Sequence, residues 1–169
     1  MIARSKLVIL AFFSLIVMHL DVSGQSGNNI IDSTWFLLKE QLLRRSNLAL
    51  QFSGLKGEKN PDTILFDELK DAASNLTLLL NSPCKLDSNQ IVGIEAANYI
   101  LVGLIQKSVM FSEDKNNFIP NEEFMNYLMQ LTGNENRIRV HMSDFNKAGE
   151  DFGRPDLHFK KYWVSMEQQ

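Results

Sequence analysis

Oxygen-bearing side chains are concentrated in one short segment, residues 112–123, which reads SEDKNNFIPNEE. Hard cations bind carboxylate, amide and carbonyl oxygens, so this segment has the composition of a cation-binding loop. Other chemistries lack their usual patterns. No His-x-Glu-x-His or paired-cysteine spacing predicts a zinc site, and no Gly-x-Ser-x-Gly motif or phosphate-binding loop is present. We therefore predict that the chain is not an enzyme.

Residues 112–123 resemble the calcium-binding loop of an EF-hand, and predicted helices flank them on both sides as that motif requires. The EF-hand loop places oxygen ligands at positions 1, 3 and 5, a backbone carbonyl at position 7 and a bidentate glutamate at position 12. The register that sets Ile119 at the apolar position 8 implies a calcium ion held by the following residues: Ser112, Asp114, Asn116, the carbonyl of Phe118, and Glu123.

This loop departs from the EF-hand pattern at two positions. Ser112 replaces the usual aspartate at position 1, and Asn117 replaces the usual glycine at position 6. Because only two carboxylates remain, the resemblance implies one weak site, which extracellular calcium at near-millimolar concentration would fill. Upstream, residues 57–68 read GEKNPDTILFDE and look like the second half of a partner loop. The ligand positions of its first half carry glycine, lysine and proline, so that loop is not expected to bind calcium.

Residues 114–120, DKNNFIP, together with the long helix predicted before them, are similar to the egg-lysins of abalone sperm. Those proteins are secreted, helical and free of disulfides, so the resemblance implies an extracellular recognition bundle. The egg-lysins are strongly basic, whereas this chain has 17 Lys and Arg against 20 Asp and Glu. A mildly acidic balance also argues against a nucleic-acid partner.

The first 24 residues have the features of a secretory signal peptide. Basic residues precede an apolar run, Leu7 to Leu20, and small residues follow up to Gly24. The run is shorter than the roughly 20 apolar residues that a membrane-spanning helix needs. We therefore predict a cleaved signal peptide at residues 1–24, a single helical domain at residues 25–169, a secreted, extracellular protein, and no stable membrane insertion.

Because the chain is predicted to be secreted, covalent modification of two further residues is predicted as well. Asn75 begins Asn75-Leu76-Thr77, the one N-glycosylation sequon of the chain, so we predict a glycan on Asn75. Cys84 is the only cysteine. It is either buried and inert, exposed and free, or joined to a second chain, and the last outcome predicts a homodimer through Cys84.

Apolar residues recur every three or four positions along most of the chain, which predicts helices. Six segments have this character: 30–52, 62–80, 91–111, 121–132, 138–148 and a piece after Pro155. Segment 91–111 is apolar almost all round, which indicates the buried centre of a bundle, and its Gly93 and Gly103 would allow a close neighbour. Arg45 is expected to lie off the apolar stripe of the first helix. Because no alternating strand pattern is present, we predict an all-α fold, a compact bundle of five or six helices.

These features favour a secreted, non-enzymatic helical protein that binds an extracellular protein partner and has one weak calcium site. The alternative is an extracellular recognition or signalling bundle, of cytokine or gamete-recognition type, without calcium. A third hypothesis is a carrier with a methionine-rich pocket formed by the following residues: Met110, Phe111, Met125 and Met129. Methionines also fill ordinary cores, which we favour. Phe159 and Trp163 are predicted to lie on one face of a final helix and to dock the tail onto the bundle.

Overall fold

The computed structural model describes the backbone of residues 2–54, 63–84, 86–114 and 122–160, and the side chains of residues 27–54, 64–84, 86–112 and 122–160. Within these ranges the chain is all-α and contains no strand, which confirms the predicted fold class. The helices are α1 (Ile2–Gly54), α2 (Thr63–Leu80), α3 (Ser88–Asp114) and α4 (Glu122–Asp151). Residues 2–24, our predicted signal peptide, form the first part of α1.

The described residues form four helices, so the predicted number of five or six is wrong for this part of the chain. Gly133 does not end a helix, because α4 continues through it to Asp151. A glycine inside a helix costs about 1 kcal/mol relative to alanine, and buried Leu131 and Asn134 on either side anchor the helix to the core. After Pro155 the described residues 156–160 are not helical, and Trp163 lies outside the described residues.

Helix α1 is the central element of the packing, and α2 and α4 both lie along it. Helix α3 packs mainly against α2 and touches α1 only slightly, and the described backbones of α3 and α4 do not approach each other. One continuous core joins the inward faces of all four helices. The expectation that α3 forms the buried centre is therefore wrong, since Val92, Ile100 and Met110 on its outer side are exposed.

The helix ends follow ordinary capping chemistry. The Asp87 carboxylate accepts a hydrogen bond from the backbone N–H of Gln90 at 2.8 Å, which caps α3. At the end of α4, Gly153 adopts a left-handed φ of 71°. The N–H of Arg154 then donates to the carbonyl of Gly149 at 2.7 Å, and that of Gly153 donates to Glu150 at 3.3 Å. This pair of hydrogen bonds is a Schellman motif, and it turns the chain back towards the bundle.

The returning segment is fixed by Asn146 of α4. The Asn146 amide donates to the carbonyl of Phe159 at 2.8 Å and accepts from the N–H of Phe159 at 2.9 Å. The Phe159 ring is buried against Trp35 of α1 and Phe145 of α4. Phe159 therefore docks onto the bundle as predicted, although it does so from an extended segment.

Candidate functional site

The residues of the predicted calcium loop are only partly described. Ser112 is buried within α3, and its hydroxyl donates to the carbonyl of Ser108 at 2.7 Å. Ser112 is 2% exposed, so in this conformation its oxygen is closed to an ion arriving from solvent. Glu123 is exposed in the first turn of α4. Asn116, Phe118 and the side chain of Asp114 lie outside the described residues, so calcium binding stays a prediction.

Two further observations concern the other hypotheses for ligands. Among the described side chains, no group of three or more His, Cys, Asp or Glu residues is arranged to hold a metal ion. Met110, Met125 and Met129 are all exposed on the outer surfaces of their helices. These three methionines therefore do not line an internal cavity of the kind that the carrier hypothesis requires.

A concave surface lies between α2 and α3 as a groove with a volume of about 680 Å³. Its apolar part is formed by Ala72, Ile100 and Leu104, together with the half-exposed ring of Tyr99. Its polar part comes from the following residues: Glu68, Asp71, Asn75, Gln106 and Lys107. We call this surface the α2–α3 groove. It joins an apolar floor to a rim of hydrogen-bonding groups, as sites for small polar ligands do.

A second hollow of about 490 Å³ continues the α2–α3 groove towards the start of α2. Glu68 and Lys107 line both, and the rest of this hollow is apolar: Ile64, Leu65, Met110 and Phe111. We call it the Met110 hollow. Ile64 is 70% exposed and Met110 is 56% exposed, so apolar surface faces solvent here. The two concavities form one continuous outer face of the α2–α3 pair.

Helix α3 is held in place by a buried arginine that the sequence analysis assigned to the surface. Arg45 of α1 is 1% exposed. Its guanidinium group donates one hydrogen bond to the amide oxygen of Asn98 on α3 and another to the carboxylate of Glu135 on α4. One side chain thus links the two helices whose backbones do not meet. Burial lowers the pKa of Arg45, whereas the nearby Glu135 carboxylate raises it. An arginine remains charged within proteins, so this is a buried ion pair.

A second polar link joins α3 to the returning C-terminal segment. The backbone N–H of Lys160 donates to the Glu95 carboxylate. Partial burial raises the pKa of Glu95, and the hydrogen bond from Lys160, with the positive charges of Lys160 and His158, partly offsets this shift. Glu95 thus contacts the returning segment and Asn98 contacts Arg45 of α1, and neither residue lines the α2–α3 groove.

The residues predicted for modification both lie on the surface. Asn75 is exposed on α2 and lines the α2–α3 groove, and Cys84 is an exposed free thiol in the loop before α3. The predicted glycan and disulfide-linked dimer are compatible with this exposure but remain predictions. The groove itself was missed by the sequence analysis. The sequence pattern that could have indicated it is a second apolar stripe along α3. This stripe includes Val92, Tyr99 and Met110 at helical spacing.

Within the chain whose side chains are described, no helix combines the length and apolarity needed to cross a membrane. The chain was also compared with known families and curated proteins. No family model matches it, and no curated protein matches it.

Proposed function

We propose that this chain is a secreted, non-enzymatic helical protein that binds an extracellular protein partner through the Met110 hollow. The observation that carries this proposal is the exposure of large apolar side chains, Ile64 and Met110, around a concave surface. Contiguous exposed apolar surface is characteristic of sites for partners. Methionine suits such a role because its flexible thioether adapts to irregular surfaces.

The shape and charge of the hollow favour one kind of partner, an amphipathic helix. Residues of α2 and α3 border the hollow on its two sides, and a helix can lay its apolar stripe between them. Glu68 and Lys107 stand at the inner limit of the hollow and provide one charge of each sign. A partner helix with apolar residues at three- and four-residue spacing and a charged residue beyond them would match this arrangement.

The proposal favours recognition without calcium over calcium binding. Met110 and Phe111 directly precede residues 112–123, so the hollow and the calcium-loop hypothesis concern the same end of α3. Ser112 is buried within α3, whereas Ile64 and Met110 at the hollow are exposed to solvent. A protein surface is therefore the better-supported site.

The test compares Met110→Glu with the matched variant Met129→Glu in capture of the partner from the extracellular fluid of the source tissue. Both methionines are exposed helical residues, but Met129, which is 72% exposed, does not line the hollow. Burying an unpaired carboxylate opposes binding by more than about 1.4 kcal/mol, so Met110→Glu should weaken capture of one specific protein at least about tenfold. Met129→Glu should leave that capture unchanged.

Circular dichroism provides the control for folding, because substitution of an exposed residue should not alter the helix content. If no captured protein distinguishes Met110→Glu from Met129→Glu, the Met110 hollow is not the binding surface. If both variants lose the same protein equally, the effect comes from added charge and the proposal fails as well.

A further inference from the structure

We propose that an N-linked glycan on Asn75 lies in the α2–α3 groove, covers its Tyr99–Ile100 end, and leaves the Met110 hollow open. The inference rests on the secretion that the proposed function includes. It deepens that function because it assigns the two concavities of one face to different occupants. The groove receives the chain's own carbohydrate, and the hollow receives the protein partner.

The first support is the position of the sequon on α2. Leu76, its middle residue, is fully buried in the core, and the hydroxyl of Thr77 donates to the carbonyl of Ala73 at 2.9 Å. The burial of Leu76 fixes which face of α2 points outward, and in this orientation Asn75 is exposed and lines the groove. A sugar attached to its amide would begin within the groove.

The second support is the chemistry of the lining. The first glycan residue, N-acetylglucosamine, has apolar C–H groups on its ring and an acetyl methyl group, together with hydroxyl groups and an amide. The groove offers the matching set, with apolar Ile100 and Leu104 beside the Tyr99 ring, and hydrogen-bonding groups on Asp71 and Gln106. Its volume of about 680 Å³ lies within the usual range of about 300–1,000 Å³ for small-molecule sites.

The Met110 hollow is the concavity that Asn75 does not line. Four of its six lining residues are apolar, and Asn75 is not among them. Glu68 and Lys107 separate it from the sugar-facing end of the groove. The first N-acetylglucosamine on Asn75 therefore covers the Tyr99–Ile100 end of the groove, and the Met110 hollow lies beyond Glu68 and Lys107.

The modification itself needs only a sugar donor. The amide nitrogen of Asn75 forms a bond to the anomeric carbon of an oligosaccharide carried on a lipid diphosphate. The bond from that carbon to the diphosphate oxygen breaks, the amide loses one proton, and the lipid diphosphate leaves. No group is oxidised or reduced.

The chain offers a closely matched control position on α4. Residues 130–132 read Gln-Leu-Thr, so Gln130→Asn creates a second Asn-Leu-Thr sequon on a helix. Leu131 is buried, as Leu76 is. The hydroxyl of Thr132 donates to the carbonyl of Leu128, four residues earlier, at 2.9 Å, and the hydroxyl of Thr77 makes the same bond to Ala73 in α2. The double variant Asn75→Gln/Gln130→Asn thus carries its glycan away from the groove.

The experiment measures hydroxyl-radical oxidation of single residues in the secreted full chain, after mass spectrometry has established whether Asn75 carries a glycan. We expect the glycan on Asn75 to reduce oxidation of Tyr99 and Ile100 severalfold, with Met110 and Val140 unchanged. Enzymatic removal of the whole glycan should abolish this protection. Trimming to the first N-acetylglucosamine should retain most of it, because that sugar is the one placed on the groove floor.

Three results would overturn the inference. One is an unmodified Asn75 in the secreted chain. Another is equal oxidation of Tyr99 and Ile100 with and without the glycan. The third is equal protection by the glycan of the double variant, which would show general shielding. Partner capture by the Asn75→Gln variant distinguishes failure of this inference from failure of the proposed function. Loss of the glycan should leave binding of the partner at the Met110 hollow intact.

Discussion

The ion pair between Arg45 and Glu135 predicts an asymmetric response to removal of its two partners. Arg45 is 1% exposed, whereas Glu135 is 22% exposed. Glu135→Leu would leave a charged guanidinium in the core with only Asn98 as an acceptor, and water cannot reach it. Arg45→Met would leave a carboxylate that water can reach, and it would fill the vacated space with an apolar side chain of similar length.

The magnitudes follow from this difference in access to water. Removing one partner of a buried ion pair costs about 3–5 kcal/mol, and we expect Glu135→Leu at the lower end, about 3 kcal/mol, because Asn98 still accepts one hydrogen bond. We expect Arg45→Met to change the free energy of unfolding by less than about 1 kcal/mol, since replacing the buried charge by an apolar group removes its desolvation penalty. The double variant should recover most of the loss of Glu135→Leu.

The assay is urea denaturation at neutral pH, followed by circular dichroism. Folded domains are stable by about 5–15 kcal/mol, so a loss of about 3 kcal/mol is easily measured. If Arg45→Met destabilised the fold more than Glu135→Leu does, the arginine would have to be hydrated in the native state. The reasoning from its burial would then be wrong.

Four further predictions concern separate parts of the molecule. Leu69→Ala and Leu76→Ala should each lower the free energy of unfolding by about 2–5 kcal/mol, because both side chains are fully buried. Urea denaturation measures this loss, and losses below about 0.5 kcal/mol at both positions would contradict the prediction. Asn146→Ala should increase limited proteolysis of the returning segment while the helices stay folded, because it removes the two hydrogen bonds to Phe159 and leaves the polar link from Lys160 to Glu95; an unchanged cleavage rate would argue against it. Glu95→Gln should stabilise the fold at neutral pH, because the raised pKa of Glu95 means that its ionised form is disfavoured in the native state. The gain should vanish as the pH falls below the ordinary pKa of glutamate, and a pH series of unfolding curves tests the sign. Any calcium binding by residues 112–123 should be weak and should be abolished by Glu123→Gln; calorimetric titration at several-millimolar calcium tests this, and no heat with the wild-type chain would rule out the EF-hand hypothesis.

Local patterns in the sequence predicted the helices better than their pairing. Leu38 and Leu42 of α1, and Leu69 and Leu76 of α2, recur at helical spacing and are buried, because a helix face depends on residues one turn apart. Leu65 and Leu79, at the same spacing in α2, are only half-buried. The end expected at Gly133 was wrong, since the packing of Leu131 and Asn134 outweighs the intrinsic cost of glycine. At Gly93 and Gly103 no described atom approaches the space that a Cβ would fill, so the expected close neighbour is absent there.

The candidate site was less accessible to sequence reasoning because it depends on which helices are neighbours. Arg45 continues the spacing of Leu38 and Leu42, but its charge led to a surface assignment. Its acceptors, Asn98 and Glu135, are 53 and 90 residues away, and no local pattern connects them to it. The sequon at Asn75 was readable directly, whereas the groove beside it exists only because α3 packs on α2.

The central position of α1 has a consequence for the order of assembly during synthesis. The contacts between α1 and α2, and between α2 and α3, join neighbours in sequence, so they can form as soon as each helix is complete. The contact between α1 and α4 must wait until α4 ends, about 70 residues after the end of α2. At about 5–20 residues per second, this interval lasts about 4–14 s. During that time the side of α1 that carries Leu38, Leu42 and Arg45 has no α4 to cover it. A nascent chain stalled before Glu122 should therefore bind general chaperones, and one that has completed α4 should release them.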